Sequence, residues 1–267
     1  MNIPFKRREF QEECERIARR QQGLEEASDA YIFKNQLEVK DSDLALLKTC
    51  LSHDSVSFYF NAAYSFLQGL KSININSFSW GTVQLYYSVF YSCKAILGFN
   101  NIGIIRKKGL SKIELKVGEK AKSLKENNDH KQAFLCYKTS FPSAFILSNN
   151  INEQDFLGWI QEAREITNYR QQVLQEPKSL IFLTKLIEQY KNSTEFKTIL
   201  DKFASNWALY CFQEDSAIVA GSYKLLSEAY DLYAAQNEKI TVPQKRELSK
   251  LCKSLKIDNL KTSVMDV

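Results

Sequence analysis

Glycine, proline and histidine are scarce in this chain of 267 residues, which holds 9 Gly, 4 Pro and 2 His. Folds made of many short strands need a turn every few residues, and glycine and proline supply most turns, so their scarcity argues against such folds. Long helices need few turns. The chain has 44% hydrophobic and 12% aromatic residues, which is typical of a globular protein with a core. We therefore predict an all-α protein.

Patterns typical of metal, disulfide and membrane proteins are missing as well. The six cysteines are widely spaced without a C-x-x-C pair, so a zinc site is not expected. Neither a signal peptide nor a predominantly apolar stretch of the roughly 18 residues that a membrane span needs occurs. Walker, G-x-S-x-G and H-E-x-x-H patterns are also missing. We expect a cytoplasmic protein with reduced thiols, no cofactor and no membrane contact.

Apolar periodicity divides the chain into four predicted segments. They are an N-terminal helix and linker over 1–40, a helical bundle over 41–191, a C-terminal helical extension packed on it over 192–258, and a flexible tail over 259–267. Within the bundle, the apolar pattern predicts one or two helices from about 42 to 71. Two adjacent apolar stripes, one including Trp80, predict a mostly buried central helix over 80–97. Asn152 is the expected cap of a helix over 153–174.

The excess positive charge is concentrated in one segment. The formal net charge is +5, and residues 106–126 contain eight basic and three acidic side chains, which equals the whole excess. A short β-prone piece covers 102–105. After it, lysines recur every four residues, from Lys108 to Lys120, and helical spacing places them on one edge. Such an edge can contact nucleic-acid backbone, and the alternative is a solvated helix or loop. The candidate nucleic-acid contacts are Arg106, Lys107, Lys108, Lys112, Lys116 and Lys120.

Two segments resemble the HEPN superfamily, a set of helical-bundle domains frequent in prokaryotic toxins and in anti-phage or anti-plasmid defence. The run Trp-Gly-Thr-Val-x-Leu-Tyr-Tyr-x-x-Phe at 80–90 resembles the aromatic core helix of such domains. Asn168, Tyr169 and Arg170 resemble the lead-in to their catalytic motif. The resemblance covers about residues 54–190 and implies a HEPN-like bundle with additional C-terminal helices.

The catalytic motif of that superfamily is incomplete in this chain. Active members place a histidine four to six residues after an arginine, whereas Gln175 stands five residues after Arg170. Counting from Arg164 instead leads to Tyr169. Histidine suits proton transfer near neutral pH, glutamine cannot titrate, and arginine stays protonated. In a second interpretation Arg164 and Gln175 belong to a plain polar edge of a bundle helix.

The resemblance without the histidine predicts a non-catalytic or weakly catalytic accessory subunit of a prokaryotic defence complex, beside a nuclease or an ATPase. It would bind protein partners, and nucleic-acid backbone through the basic segment. Aromatic residues in the last helices exceed what a small bundle buries, which predicts a partner surface. Its candidate residues are Trp207, Tyr210, Phe212, Tyr223, Tyr230 and Tyr233.

Two alternatives remain open. The first is an active, metal-independent HEPN ribonuclease toxin that uses Arg164, Tyr169, Arg170 and Gln175. The second is a helical-repeat scaffold, although no fixed period emerges from the sequence. Placement of either histidine, His53 or His130, in a cleft shared with Arg170 would overturn the non-catalytic prediction.

Overall fold

A hairpin of two long helices, α2 (Asp41–Asn74) and α3 (Phe78–Phe99), lies at the centre of the fold. In this computed structural model, residues 8–24, 37–106, 109–124, 128–170 and 196–257 are described. Both helices were predicted from their apolar pattern, and each is longer than expected. Gly69 allows their close contact, because a Cβ there would lie 2.9 Å from the Leu85 side chain.

Further helices surround this hairpin. They are α1 (Glu9–Gln21), α4 (Asp129–Ser140), α5 (Phe156–Glu165), α6 (Phe196–Ser205), α7 (Trp207–Tyr210), α8 (Glu214–Ala234) and α9 (Val242–Leu255). A 3-10 turn covers Phe145–Leu147, and a π-helical turn, Ile166–Arg170, directly follows α5. α8 packs on α3, and α9 packs on α2. The prediction of a mostly helical protein is confirmed, while the proposed boundary at 191 and the tail over 259–267 lie outside the described residues.

The C-terminal aromatics belong to the core rather than to an exposed surface. Tyr223 is fully buried and stacks on Phe66, with ring centroids 5.6 Å apart. Tyr233 is 6% exposed and stacks on Tyr59 at 4.2 Å. The prediction of an exposed partner surface is therefore wrong for these two tyrosines, because α8 inserts between other helices of the bundle. The others are half-buried against the same core: Trp207, Tyr210, Phe212 and Tyr230.

The basic segment is a small antiparallel sheet, so the predicted helix with a lysine edge is wrong. Its strands are β1 (Ile102–Arg106), β2 (Leu110–Glu114) and β3 (Lys122–Ser123). Buried side chains alternate with more exposed ones at Ile113 and Leu115, and this period of two is that of a strand. The sheet packs on α1 in a second, smaller core that includes Phe10, Cys14 and Ile105. The β-prone piece over 102–105 is confirmed.

Two local expectations near the bundle helices are also corrected. Asn152 and Glu153 have positive φ angles and form the turn between β4 (Asn150–Ile151) and β5 (Gln154–Asp155). Asp155 caps α5 by accepting a hydrogen bond from the Gly158 backbone N–H, so the helix begins three residues later than predicted. Trp80 is 64% exposed and lies outside the core. In the described ranges, no helix is long and apolar enough to span a bilayer.

Candidate functional site

A polar cluster lies beside α3, where the first turn of α4 and the end of α5 approach it. α3 contributes Tyr86, α4 contributes His130, and α5 contributes Arg164. His130 is the second residue of its helix, and the Asn128 side chain accepts hydrogen bonds from the backbone N–H groups of His130 and Lys131. This cap fixes where α4 begins and therefore where the imidazole lies.

The buried phenol of Tyr86 connects an imidazole and a guanidinium. Its hydroxyl lies 3.0 Å from Nδ1 of His130, which is half-buried. The imidazole also stacks on the Phe90 ring, with centroids 4.1 Å apart. The Arg164 guanidinium carbon lies 5.2 Å from the centre of the Tyr86 ring, a cation–π distance. The Tyr86 side chain therefore lies beside both a group that can transfer protons, the His130 imidazole, and a permanent cation, the Arg164 guanidinium.

The surroundings of His130 favour its neutral form. Burial lowers the pKa of His130 below its ordinary value of 6.5, the charges of Arg164 and Lys94 lower it further, and Asp129 opposes them. Burial raises the pKa of Tyr86, so its phenol stays protonated. When Nδ1–H of His130 donates to the Tyr86 oxygen, Nε2 keeps its lone pair and can accept a proton. A neutral imidazole in this state is a general base.

A second cation, Lys94, lies about two turns beyond Tyr86 along α3. Its Nζ is 3.2 Å from the Asp129 carboxylate and sits over the rings of Phe58 and Phe90, at 4.9 and 5.2 Å. Burial lowers the pKa of Lys94 to about 8, and the nearby Arg8 adds to this effect. Lys94 is therefore still mostly protonated at neutral pH. The ion pair with Asp129 also fastens the start of α4 to α3.

The cluster includes only part of the predicted catalytic set. Arg164 is in it, whereas the side chains of Tyr169 and Arg170 lie outside the described residues, as does all of Gln175. The condition that would overturn the non-catalytic prediction, a cleft shared by Arg170 and a histidine, therefore involves a side chain outside the described residues. Instead Tyr86 brings His130 and Arg164 together, an arrangement that no local sequence pattern indicated. The only sequence signal for His130 was its place after Asp129 at an expected helix start, which is confirmed.

The predicted nucleic-acid contacts are not gathered at this cluster. Lys112 donates to Ser140 at the last residue of α4, about 15 Å along that helix from His130. Lys112 pairs with Glu114 at 3.0 Å and Lys120 with Glu38 at 3.7 Å, so both charges are partly neutralised. Arg106, at the end of β1, and Lys116, in the turn after β2, are exposed, and Lys107 and Lys108 lie outside the described residues.

The other histidine belongs to a separate polar cleft. His53 lies on α2 with Nδ1 2.7 Å from the Glu9 carboxylate and Nε2 3.5 Å from Glu238. The hydrogen bond to Glu9 raises the pKa of His53, which favours its charged form. The cleft has a volume of about 220 Å³ and is lined by Arg8, Glu9, His53, Asp54, Ser57, Phe58 and Asn61.

The two histidines are expected to titrate on opposite sides of pH 6.5. In a two-dimensional NMR titration, the signal of His130 should shift at a pH below 6.5 and that of His53 above it, with His53→Gln assigning the pair. The lowered pKa of His130 makes stability fall as pH drops from 6.5 toward that pKa. The contribution of His53 is full below pH 6.5 and is lost as pH rises through its raised pKa. The reverse order of the two signals would contradict this assignment.

Comparison of the chain with family models, with curated proteins and with solved structures gives no match in any of the three. Among the residues that the structure describes, no group of three or more His, Cys, Asp or Glu side chains is arranged to hold a metal ion.

Proposed function

We propose that this chain is a HEPN-like protein that binds RNA at the Tyr86 cluster and cleaves it without a metal ion, with His130 acting in place of the histidine missing from the sequence motif. The observation that carries the proposal is that the Tyr86 hydroxyl lies 3.0 Å from His130 while the Arg164 guanidinium lies over the same ring. A neutral imidazole beside a guanidinium supplies a proton acceptor and an anion-binding group in one place.

In the proposed reaction, Nε2 of His130 takes the proton from a ribose 2′-hydroxyl. The 2′-oxygen forms a bond to the adjacent phosphorus, and the bond from phosphorus to the 5′-oxygen breaks. The proton on His130 passes through water to that leaving oxygen, which restores the neutral imidazole. The products are a 2′,3′-cyclic phosphate and a 5′-hydroxyl. Arg164 stabilises the negative charge that develops on the phosphoryl oxygens.

The test is incubation of the purified protein with total RNA and with tRNA in the presence of EDTA. The expected result is discrete fragments that end in a 2′,3′-cyclic phosphate. Such an end has no free 3′-hydroxyl, so an enzyme that adds nucleotides to RNA 3′ ends can extend the fragments only after treatment with a phosphatase active on cyclic phosphates. Cleavage that requires Mg²⁺, or fragments with a 5′-phosphate, would contradict the mechanism. If the RNA is bound, as seen by a gel shift, but stays intact, the cleavage step is contradicted and only RNA binding is supported.

Tyr86 has a positioning role that a conservative variant isolates. Tyr86→Phe keeps the ring under Arg164 and removes only the hydroxyl that holds Nδ1 of His130. We expect kcat to fall about ten-fold with KM nearly unchanged, since substrate binding through Arg164 is kept. The pH at which the rate is half-maximal should also shift, because His130 loses its hydrogen-bond partner. An unchanged pH profile would show that Tyr86 only packs the core.

A second candidate function is an accessory subunit that binds protein partners in a prokaryotic defence complex. Ile75, in the turn between α2 and α3, and Trp80, in the first turn of α3, favour it, since they are 66% and 64% exposed. Large exposed apolar side chains near one turn are typical of a protein contact. The RNA assay separates the two candidates, because an accessory subunit leaves the RNA intact under every condition.

A further inference from the structure

Two half-buried tyrosines continue the cluster along α3. Tyr87 and Tyr91 are one helical turn apart, and their rings are stacked with centroids 6.1 Å apart and planes 28° apart. Tyr87 contacts the His130 ring edge-on at 5.5 Å. Tyr91 stacks on Phe58 of α2, with centroids 6.4 Å apart. The pair therefore forms a partly exposed aromatic row that runs from His130 to α2.

A third cation lies at the far end of this row. The guanidinium carbon of Arg8, at the start of α1, is 4.1 Å from the centre of the Phe58 ring, and the Arg8 side chain is exposed. Among the described residues, no carboxylate forms an ion pair with Arg8. The nearby Asp54 carboxylate accepts hydrogen bonds from the backbone N–H groups of Glu9 and Phe10. Burial lowers the pKa of Arg8 and the charge of Asp54 opposes this effect, but a guanidinium stays protonated at neutral pH, so a permanent cation lies at this end of the row.

We infer that Tyr87 and Tyr91 stack a base of single-stranded RNA next to the cleaved bond, and that Arg8 binds a phosphate of the same strand. The inference rests on the proposed function and names the form of its substrate. Aromatic side chains stack unpaired bases of any sequence, while cations beside them hold the backbone. A base within a duplex has both faces covered by its neighbours and cannot reach the row.

The charges along the row agree with an anionic ligand. Arg164, Lys94 and Arg8 follow one another from the His130 end to the α2 end. The carboxylate of Asp129 is paired with Lys94, and that of Asp54 is held by the start of α1.

The test uses a fluorescein-labelled 2′-O-methyl RNA dodecamer, which lacks the attacking hydroxyl and is not cleaved, with fluorescence anisotropy as the readout. Tyr91→Ala is expected to weaken binding about ten-fold, and Tyr91→Phe to stay within about two-fold of the wild type. Trp80→Ala, which removes an exposed aromatic on the same helix, is the matched control and should change nothing. The wild type should bind the same dodecamer as a duplex at least about ten-fold more weakly.

Arg8 is tested through salt dependence. Arg8→Gln is expected to reduce the slope of log affinity against log salt by about one, since one phosphate contact is lost.

Thermal unfolding of each variant checks folding, and Tyr87→Ala replaces Tyr91→Ala if the latter unfolds. Equal binding of single strand and duplex, or equal loss in Tyr91→Ala and Tyr91→Phe, would overturn the inference. If the wild type cleaves RNA while no row variant changes binding, only this inference fails; if it neither binds nor cleaves RNA, the proposed function fails with it.

Discussion

His130→Asn is expected to reduce RNA cleavage about 100- to 10,000-fold, the usual contribution of a general base. Asparagine keeps a polar group near Tyr86 but cannot accept and return a proton at neutral pH. RNA binding should change little, because Arg164 and the aromatic row are intact. The measurement is the rate of fragment release under single-turnover conditions, with anisotropy for binding. A variant that cuts at the wild-type rate would remove His130 from the mechanism.

The matched control for this variant is His53→Gln. The chain has two histidines, so the two substitutions together account for all imidazole chemistry. His53 is engaged with Glu9 and Glu238 and is not part of the Tyr86 cluster. We expect its replacement to leave cleavage within about two-fold of the wild type. An equal loss in both variants would indicate destabilisation rather than catalysis, or a contaminating nuclease.

The pH dependence gives an independent check on the same group. Because burial and the neighbouring cations lower the pKa of His130, the wild-type kcat/KM should rise with pH and level off below pH 6.5. Above that pH the base is already neutral, so the rate stays flat until another group titrates. A rate that rises only above pH 7 would point to a different base.

Gly221→Ala is expected to lower the free energy of unfolding by about 1–3 kcal/mol. Gly221 lies in α8 against α5, and a Cβ there would be 2.2 Å from the fully buried ring of Phe156. The ring belongs to a packed core and cannot move away without leaving space elsewhere. Urea denaturation followed by circular dichroism gives the difference, at unchanged dependence on denaturant concentration.

A second substitution tests whether that clash is the cause. Phe156→Leu removes ring atoms that the new methyl group meets, so Gly221→Ala should cost less in this background than in the wild type. Because α5 carries Arg164 at its other end, the single variant should also slow cleavage, and the double variant should recover part of the rate. Strictly additive losses of stability would show that the methyl group does not act through Phe156.

Local pattern predicted the long helices well and the basic segment badly, for related reasons. The apolar stripes of α2 and α3 persist over many turns, so few other structures can bury them. In the basic segment, lysines four residues apart would lie on one edge of a helix, so their spacing is compatible with a helix as well as with a strand. However, Ile113 and Leu115 also alternate with polar residues, and α1 offers this face a second core to pack on. The exposed polar residues are compatible with either a helix or a strand. The sheet forms because it buries the face with Ile113 and Leu115 in the second core.

The sequence by itself determined the helical class, the central aromatic helix and the lack of a histidine after Arg164 or Arg170, because these depend on composition and on spacing within one element. Only the tertiary structure decided that Tyr223 and Tyr233 are core residues and that His130 lies beside Tyr86, near Arg164. Tyr86, His130 and Arg164 come from three helices, and the first two are 44 positions apart in the sequence. Contacts of that range follow from how helices pack, which local periodicity does not encode.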